Sequence, residues 1–128
     1  AQGTGWGDLD SALVVLSPTG SMDASYFMPD SANPATATRA LGVVYAYIPG
    51  SAGSTSIHVG LFARAGAGWQ LVRPVQGLFG QGPKDPAFSG DRVEITTLTL
   101  HPGEARCCPT KQTRWSVDWA TGQAVALN

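Results

Sequence analysis

Glycine and proline divide this chain into short segments, each about the length of a β-strand. The 128 residues include 16 glycines and 9 prolines, and several of these residues stand directly between apolar runs. A strand needs only about five or six residues, whereas a helix in a globular protein usually needs about ten or more. The spacing of the breaks therefore favours a β-rich chain with few and short helices.

Three segments in the middle of the chain have the pattern of strands. The apolar residues of 41–48 occupy both parities, which is typical of a strand buried on both faces. Residues 55–64 and 69–75 alternate between apolar and polar positions, and the segment Ala65–Gly68 predicts a hairpin between them. Pro74 predicts that the second of these two strands lies at a sheet edge, because proline cannot donate to a neighbouring strand.

Residues 91–100 predict a strand whose buried face changes partway along. Val93 and Ile95 fall on one parity, whereas Leu98 and Leu100 fall on the other. A β-bulge between these pairs explains the change, and so does a strand that is covered on both faces at one end. The sequence favours a strand here in either case, because its threonines have high β-propensity.

The C-terminal half also contains a predicted loop and a predicted hairpin. Residues 76–90 include six glycines or prolines, and we expect a long ordered loop because its aromatic residues need burial. Residues 113–127 predict a hairpin that turns at Thr121 and Gly122. With these elements the chain has about six or seven strands, most of them joined by hairpins.

The N-terminal third is harder to assign. The valine-rich run 11–16 favours a strand, although a short helix capped by Asp8 or Asp10 stays open. Residues 17–40 predict a surface loop, from which the apolar stretch 26–28 docks onto the core. We therefore predict a mainly β or α+β fold, with a twisted and mostly antiparallel sheet and at most one or two short helices.

The length of the chain predicts one domain over residues 1–128, in which the glycine-rich residues 1–10 form a flexible N-terminal arm. Eight basic and nine acidic residues give a formal net charge of −1, so the chain lacks the basic excess that would indicate a nucleic-acid partner. No apolar run approaches the roughly 18 residues of a transmembrane segment. A first residue Ala1 without an initiator Met is typical of a secretory leader removed on export, although a trimmed chain begins in the same way.

The only two cysteines are adjacent, Cys107 and Cys108. Their Cα atoms are therefore about 3.8 Å apart, closer than in most disulfides, so a bond between them would force an unusual backbone turn. The first interpretation is structural: the pair sets a rigid corner between two strands, and Arg106 and Arg114 pair with acidic residues. These acidic residues would be Glu104 and Asp118.

Two other interpretations give the cysteines a chemical role. A strained and exposed disulfide is easily reduced, and the basic neighbours Arg106 and His101 would lower a thiol pKa. Alternatively, the segment could bind a metal ion through His101, Glu104 and the two sulfurs, although its spacing matches no common zinc pattern. The sequence as a whole implies no cofactor, no metal ion and no catalytic residue.

Histidine and tryptophan give two further candidates. His58 is most simply a strand residue that faces polar surroundings, although a Ser/His/Asp triad can assemble from distant positions. The tryptophans could form a platform on which a ligand stacks, but two of them alternate on one strand face, which is typical of a core. The four tryptophans are Trp6, Trp69, Trp115 and Trp119.

Three short motifs carry a resemblance to known proteins: Arg106-Cys-Cys-Pro-Thr110, the upstream Ser89-Gly-Asp-Arg-Val-Glu94 and the downstream Arg114-Trp-Ser-Val-Asp118. Together they resemble a group of uncharacterised bacterial exported proteins, over roughly residues 40–122. Actinobacterial lipoproteins of the LppP/LprE type have a similar Cys-Cys-Pro ending. The resemblance implies export to the periplasm or beyond and brings with it no reaction, cofactor or catalytic residue.

These observations lead to two functional hypotheses. The first is a non-catalytic secreted or periplasmic domain that binds a protein or another component of the cell envelope. The second is a redox-active or thiol-dependent protein centred on Cys107 and Cys108. The candidate binding or structural residues are Arg106, Cys107, Cys108, Pro109, Thr110, Arg114, Trp115 and Asp118.

Overall fold

The computed structural model describes residues 8–50, 55–66, 68–105 and 108–127. The chain divides into two compact units, of which the first ends at Pro74 and the second begins at Val75. Strands account for 57% of the structure, in two four-stranded antiparallel sheets. The predicted mainly β fold is confirmed, whereas the described residues form eight strands rather than six or seven. That the chain behaves as one domain stays a prediction.

Each unit contains one sheet whose strands lie side by side in chain order. The first unit begins with helix α1 (Leu9–Leu13) and a 3₁₀ turn (Val14–Leu16), followed by β1 (Ala24–Pro29), β2 (Arg39–Tyr47), β3 (Thr55–Ala65) and β4 (Gly68–Val75). The second unit contains β5 (Gln81–Ser89), β6 (Arg92–Thr99), β7 (Lys111–Asp118) and β8 (Ala124–Ala126). Among the described residues, no helix has the length and apolar character needed to cross a membrane.

The run 11–16 is helical, so the strand expected there is wrong and the alternative of a capped helix is correct. Asp8 is the N-cap of α1: one of its carboxylate oxygens accepts from the backbone N–H of Ser11 at 3.1 Å, and the other accepts from the Ser11 hydroxyl at 2.6 Å. A cap of this kind satisfies backbone donors that have no partner within the helix. Residues 8–10, at the end of the predicted arm, belong to the cap and to α1, whereas 1–7 lie outside the described residues.

A pair of facing glycines makes room for the helical segment on the first sheet. Gly42 of β2 lies opposite Gly60 of β3. A Cβ atom on Gly42 would stand 2.6 Å from a methyl group of Leu13, and one on Gly60 would stand 2.7 Å from a methyl group of Leu16. The missing side chains therefore create the shallow depression that these leucines fill. Phe62, which is fully buried, packs in the same cluster.

The prediction of a surface loop over 17–40 is wrong in part, because β1 lies within it and pairs with β2. The expected docking of its aromatic residues is confirmed at Phe27. The Phe27 ring meets the Trp69 ring edge to face, with centroids 5.0 Å apart. β1 escapes prediction because it is an edge strand, and most of its residues are only half-buried or exposed.

The predictions for the central strands of the first unit are confirmed. β2 buries residues of both parities, as its apolar pattern indicates. β3 places His58, Gly60 and Phe62 on one face, opposite β2 residues of the helix-covered face. β4 forms one edge of the sheet, where Pro74 is tolerated.

The prediction of a loop over 76–90 is wrong in part, because residues 81–89 form β5. Its pairing with β6 shifts register twice, between Gln81 and Lys84 and again between Lys84 and Ala87. Asp85 lies within the second shift and has a positive φ of 56°. Such irregularities remove the alternating pattern by which a strand is recognised, and they are common at sheet edges. Phe79, expected to be buried, is 56% exposed.

No bulge interrupts β6 where it pairs with β7, so the bulge expected there is wrong. The second explanation fits better, because Thr96 on the parity of Leu98 is buried as well as Thr97 on the parity of Val93. The pairing is continuous from Arg92 opposite Asp118 to Thr99 opposite Lys111. The buried face that begins at Val93 and Ile95 continues through threonines instead, and the bulges lie in β5. The predicted hairpin over 113–127 is confirmed, with Gly122 at its turn.

Candidate functional site

The second unit has an open cavity of about 380 Å³ at the end of its sheet where β6 finishes and β7 begins. We call it the β6–β7 cavity. Its apolar lining consists of Phe79, Leu98, Leu100, Pro109, Trp115 and Ala126. Its polar lining consists of Gln81, Thr99, Lys111 and Thr113. A volume of this size lies at the small end of the range of ligand sites.

Two aromatic rings in this lining are held in a fixed arrangement. Trp115 is 4% exposed and meets Phe79 edge to face, with ring centroids 4.9 Å apart. The indole N–H of Trp115 donates to the Thr97 hydroxyl at 2.8 Å, and that hydroxyl donates to the carbonyl oxygen of Phe79 at 2.7 Å. Thr97 therefore ties both aromatic residues to β6.

Gly80 allows the segment that leads into β5 to lie directly against β6. Its φ of +119° is a conformation that residues with a side chain rarely adopt. A Cβ atom at this position would also stand 2.8 Å from the carbonyl oxygen of Leu98. The exposed Phe79 ring is thus placed by a glycine that no other residue can replace without moving the backbone.

Threonine hydroxyls form a buried polar row on the same face of the sheet. The Thr99 and Thr113 hydroxyls are hydrogen-bonded to each other across β6 and β7 at 2.7 Å. The Thr99 hydroxyl also lies 3.5 Å from the carbonyl oxygen of Lys111, at the limit of a hydrogen bond. We call Thr97, Thr99 and Thr113 the hydroxyl row. Because each of these hydroxyls has a hydrogen-bond partner in another hydroxyl, in the Trp115 indole or in the backbone, their burial costs little.

The loop that leads from β6 to β7 is held by Glu104. Its carboxylate accepts from the backbone N–H groups of His101 and Thr110, each at 3.0 Å, and from the Thr110 hydroxyl. The hydroxyl bond first, and then the two amide bonds, lower the pKa of Glu104 from its ordinary value of 4.5. Pro109 follows in this loop and lines the cavity.

Arg114 lies on the opposite face of the sheet from the cavity. Its Nε donates to the Glu94 carboxylate at 3.1 Å, and one Nη donates both to Thr96 at 2.9 Å and to the carbonyl oxygen of Asp85 at 2.6 Å. Arg114 is paired with Thr96 across the strands, so Glu94 is its diagonal neighbour. The prediction that the carboxylate partner of Arg114 is Glu104 or Asp118 is therefore wrong.

The predicted site residues do not form one site. Arg106 and Cys107 lie outside the described residues, so the bonding of the cysteine pair stays a prediction. Cys108 is exposed, and its backbone N–H donates to the carbonyl oxygen of Ala105 at 3.2 Å. Asp118 accepts from the N–H of Ala120 in the β7–β8 turn. Of the described candidates, Pro109 and Trp115 share the β6–β7 cavity, Thr110 holds its loop, and Arg114 belongs to the other face.

Sequence reasoning did not identify the remaining residues of the cavity. The strand register brings them together, above all the pairing of Thr99 with Lys111. One signal was available: the parity that starts at Val93 and Ile95 continues with Thr97 and Thr99, which indicates a buried face with hydroxyl groups. The exposed Phe79 and Leu100 carry no such signal.

The other candidates have a limited role in the structure. The Ser56 hydroxyl lies 2.7 Å from Nε2 of His58, which confirms that this histidine faces a polar neighbour on its strand. Within the described ranges, no three His, Cys, Asp or Glu side chains are grouped to hold a metal ion. The ligand set weighed from the sequence includes Cys107, which lies outside those ranges.

No protein-family model matches this chain, and no curated protein or solved structure matches it either. Fold and cavity therefore define the class: a β-rich protein with an open, mostly apolar cavity at the end of an antiparallel sheet. The resemblance to exported proteins with an Arg-Cys-Cys-Pro-Thr ending stays a prediction.

Proposed function

We propose that the protein is a non-catalytic binding domain of the periplasm or the extracellular space, and that the β6–β7 cavity is its binding site. The observation that carries this proposal is the open cavity of about 380 Å³ with the Trp115–Phe79 pair in its lining. Binding sites are typically concave and mostly apolar, with a few polar groups that orient the ligand. The partner is a component of the cell envelope or an apolar group of another protein.

The chemistry of the lining favours binding over catalysis. General acid–base catalysis needs a positioned group that can exchange a proton near neutral pH. Among the described residues of the lining, none is an acid or a histidine, and Lys111 is the only charged side chain. Thr99 and Thr113 are bonded to each other rather than to a base. This lining supports recognition without a chemical step.

The test introduces a charge at the rim of the cavity. Leu100 is 42% exposed and lines the cavity, whereas Val125 is 49% exposed and lies on the other face of β8 from Ala126. We expect indole, octanol and decanoate to bind the wild type and Val125→Asp equally, and Leu100→Asp at least about tenfold more weakly, by ligand-detected NMR. The proposal fails if no probe binds the wild type or if the two variants behave alike.

A thiol-dependent function is the second candidate, and the exposure of Cys108 beside Pro109 of the cavity favours it. Titration of thiols in the native protein and the Cys107→Ser/Cys108→Ser double variant separate the two candidates. If the double variant binds the same probes with unchanged affinity, the cysteines have no part in binding. If the double variant loses binding, and mild reduction of the native protein yields reactive thiols, the second candidate is supported instead.

The location outside the cytoplasm rests on the resemblance of the Arg106–Thr110 segment and on the composition of the chain. Fractionation of the source cells, with an antibody against the folded protein, checks it directly. We expect the protein in the periplasmic or secreted fraction, and its recovery with cytoplasmic markers would contradict the proposal.

A further inference from the structure

We propose that the β6–β7 cavity binds a small amphipathic carboxylate, such as a medium-chain fatty acid, with its alkyl chain against the apolar lining and its carboxylate at the Lys111 ammonium. This inference rests on the proposed binding function and names the chemical class of the ligand. Three features of the cavity carry it: the donors next to the aromatic pair already have partners, Lys111 is the one cation among the described lining residues, and the volume is small.

The inner part of the lining suits an alkyl chain. The indole N–H of Trp115 is used by Thr97, and the hydroxyls of Thr99 and Thr113 bond to each other. An apolar group that enters here leaves none of these donors without a partner, so it gains from the removal of apolar surface from water without a polar cost. Phe79 and Leu100 are both about half-exposed in the free protein and would be covered by the ligand.

Lys111 gives the cavity its charge preference. It is the only charged residue of the described lining. Within the described part of the chain, no carboxylate pairs with its ammonium group, and the nearby Glu104 carboxylate already accepts three hydrogen bonds. An ammonium group next to an apolar surface favours an anionic ligand, through charge-assisted hydrogen bonds, and disfavours a cationic one.

The size of the cavity selects a single short chain. About 380 Å³ lies near the lower limit of small-molecule sites, too little for the two chains of a membrane lipid. The lining is also preorganised, because Thr97 and Gly80 fix the aromatic residues before any ligand arrives. Preorganisation lowers the entropy that binding must overcome. We therefore commit to a free acid rather than to a lipid of the bilayer.

The experiment compares three ligands of equal chain length: decanoate, decanol and decylamine, each measured by calorimetry at low salt and below the concentration at which it aggregates. We expect decanoate to bind about tenfold more tightly than decanol, and decylamine to bind most weakly, because only the acid pairs with Lys111. From octanoate to decanoate, affinity should rise about fourfold for each added methylene.

The chain contains only two lysines, and the second is a matched control. Lys84 lies on β5, is exposed and is not part of the cavity lining. Lys111→Met keeps the apolar stem and removes the charge, so it should abolish the preference for decanoate over decanol, whereas Lys84→Met should preserve it. Thermal unfolding of both variants confirms that each still folds.

Binding is localised by NMR, with the indole N–H of Trp115 as the reporter and that of Trp69 in the first unit as the reference. We expect decanoate to shift the Trp115 signal and to leave the Trp69 signal unchanged. If decanol binds as tightly as decanoate, or if Lys111→Met retains the preference, the anionic ligand class is wrong while the binding function stands. If none of the ligands binds the wild type, both proposals fail.

Discussion

In both units the four strands of the sheet lie in chain order, but one face of each sheet is completed in a different way. In the first unit, Leu13 and Leu16 of the helical segment fill the depression above Gly42 and Gly60, and the covered face is apolar. In the second unit, the face that begins with Val93 ends in the hydroxyl row and opens into the β6–β7 cavity. The first face is sealed by its own chain, whereas the second leaves room for another molecule.

The difference shows what a buried polar group can do in a small sheet. An apolar face is covered wherever the chain can bring leucine or phenylalanine against it, because burial of apolar surface is favourable without further conditions. Buried threonines are stable only when their hydroxyls have hydrogen-bond partners: those of Thr99 and Thr113 bond to each other, and that of Thr97 fixes Trp115 and Phe79. The hydroxyl row is therefore a rigid support for a binding surface.

The largest expected effect comes from Trp115, since it joins the hydroxyl row to the cavity. Trp115→Ala should lower the free energy of unfolding by about 4 kcal/mol, as the truncation of a buried aromatic residue does. Urea unfolding followed by circular dichroism measures it, with the half-buried Trp119→Ala as the control. A loss below about 1 kcal/mol, the size of an ordinary substitution, would mean that Trp115 does not anchor this face.

The hydroxyl row itself is tested at Thr97, which is fully buried. Thr97→Val keeps the shape and removes the oxygen, so the Trp115 indole loses its acceptor and the Phe79 carbonyl its donor. Each unsatisfied group costs roughly 1–3 kcal/mol, so we expect a total of about 3 kcal/mol. Thr97→Ser retains both bonds and should cost less. A larger loss for Thr97→Ser than for Thr97→Val would show that methyl packing, rather than the hydroxyl, stabilises this face.

The corresponding test in the first unit is Gly60→Ala, which adds a methyl group beneath the helical segment. The new Cβ would stand 2.6 Å from a methyl group of Leu71 and 2.7 Å from one of Leu16. Overpacking of this kind costs about 2 kcal/mol. Gly68→Ala is the matched control on the same sheet, because its Cβ would meet nothing closer than 4.0 Å. If both variants have wild-type midpoints in urea, the helical segment is not packed as closely as the structure shows.

What could be predicted from the sequence depends instead on whether a strand lies in the centre or at an edge of its sheet. β2, β3 and β7 are recognised because their apolar residues repeat at the period of a strand, and this period is a local property. β1 and β5 are missed because edge strands expose most residues, and the bulges of β5 around Asp85 remove the repeat. The run 11–16 could be assigned to a strand or to a capped helix but not to one of them, because a short apolar run has the same composition in both.

Only two residues of the cavity, Trp115 and Pro109, were singled out from the sequence. Trp115 stands out as an aromatic residue in a strand, and Pro109 as part of an unusual turn. Lys111 and Phe79 reach the cavity through strand register and through the backbone turn at Gly80, which are non-local properties. Pairing partners cannot be read from one strand alone, so neither the Arg114–Glu94 pair nor the hydroxyl row was predicted.

Each unit contains a carboxylate whose pKa is lowered by hydrogen bonds that hold local structure, and the smallest effect is expected there. Hydrogen bonds lower the pKa of Asp8 at the cap of α1, through Ser11, and of Glu104 in the cavity loop, through Thr110 and His101. A carboxylate whose pKa is lower in the folded than in the unfolded state contributes its stability above the unfolded value. For Glu104, whose ordinary pKa is 4.5, this contribution is present above that pH and is lost as the pH falls through the folded-state value.

We therefore expect acid to loosen the cavity loop before the sheet unfolds, with a midpoint below pH 4.5. The amide signals of Thr110 and His101 should report the titration of Glu104 by NMR. Thr110→Val removes the hydroxyl bond, which is the largest cause of the shift, and should move the midpoint upward toward the ordinary value, whereas Thr110→Ser should not. A midpoint that is the same in all three proteins would show that the hydroxyl does not hold Glu104, and the loop beside Pro109 would then owe its position to the strands alone.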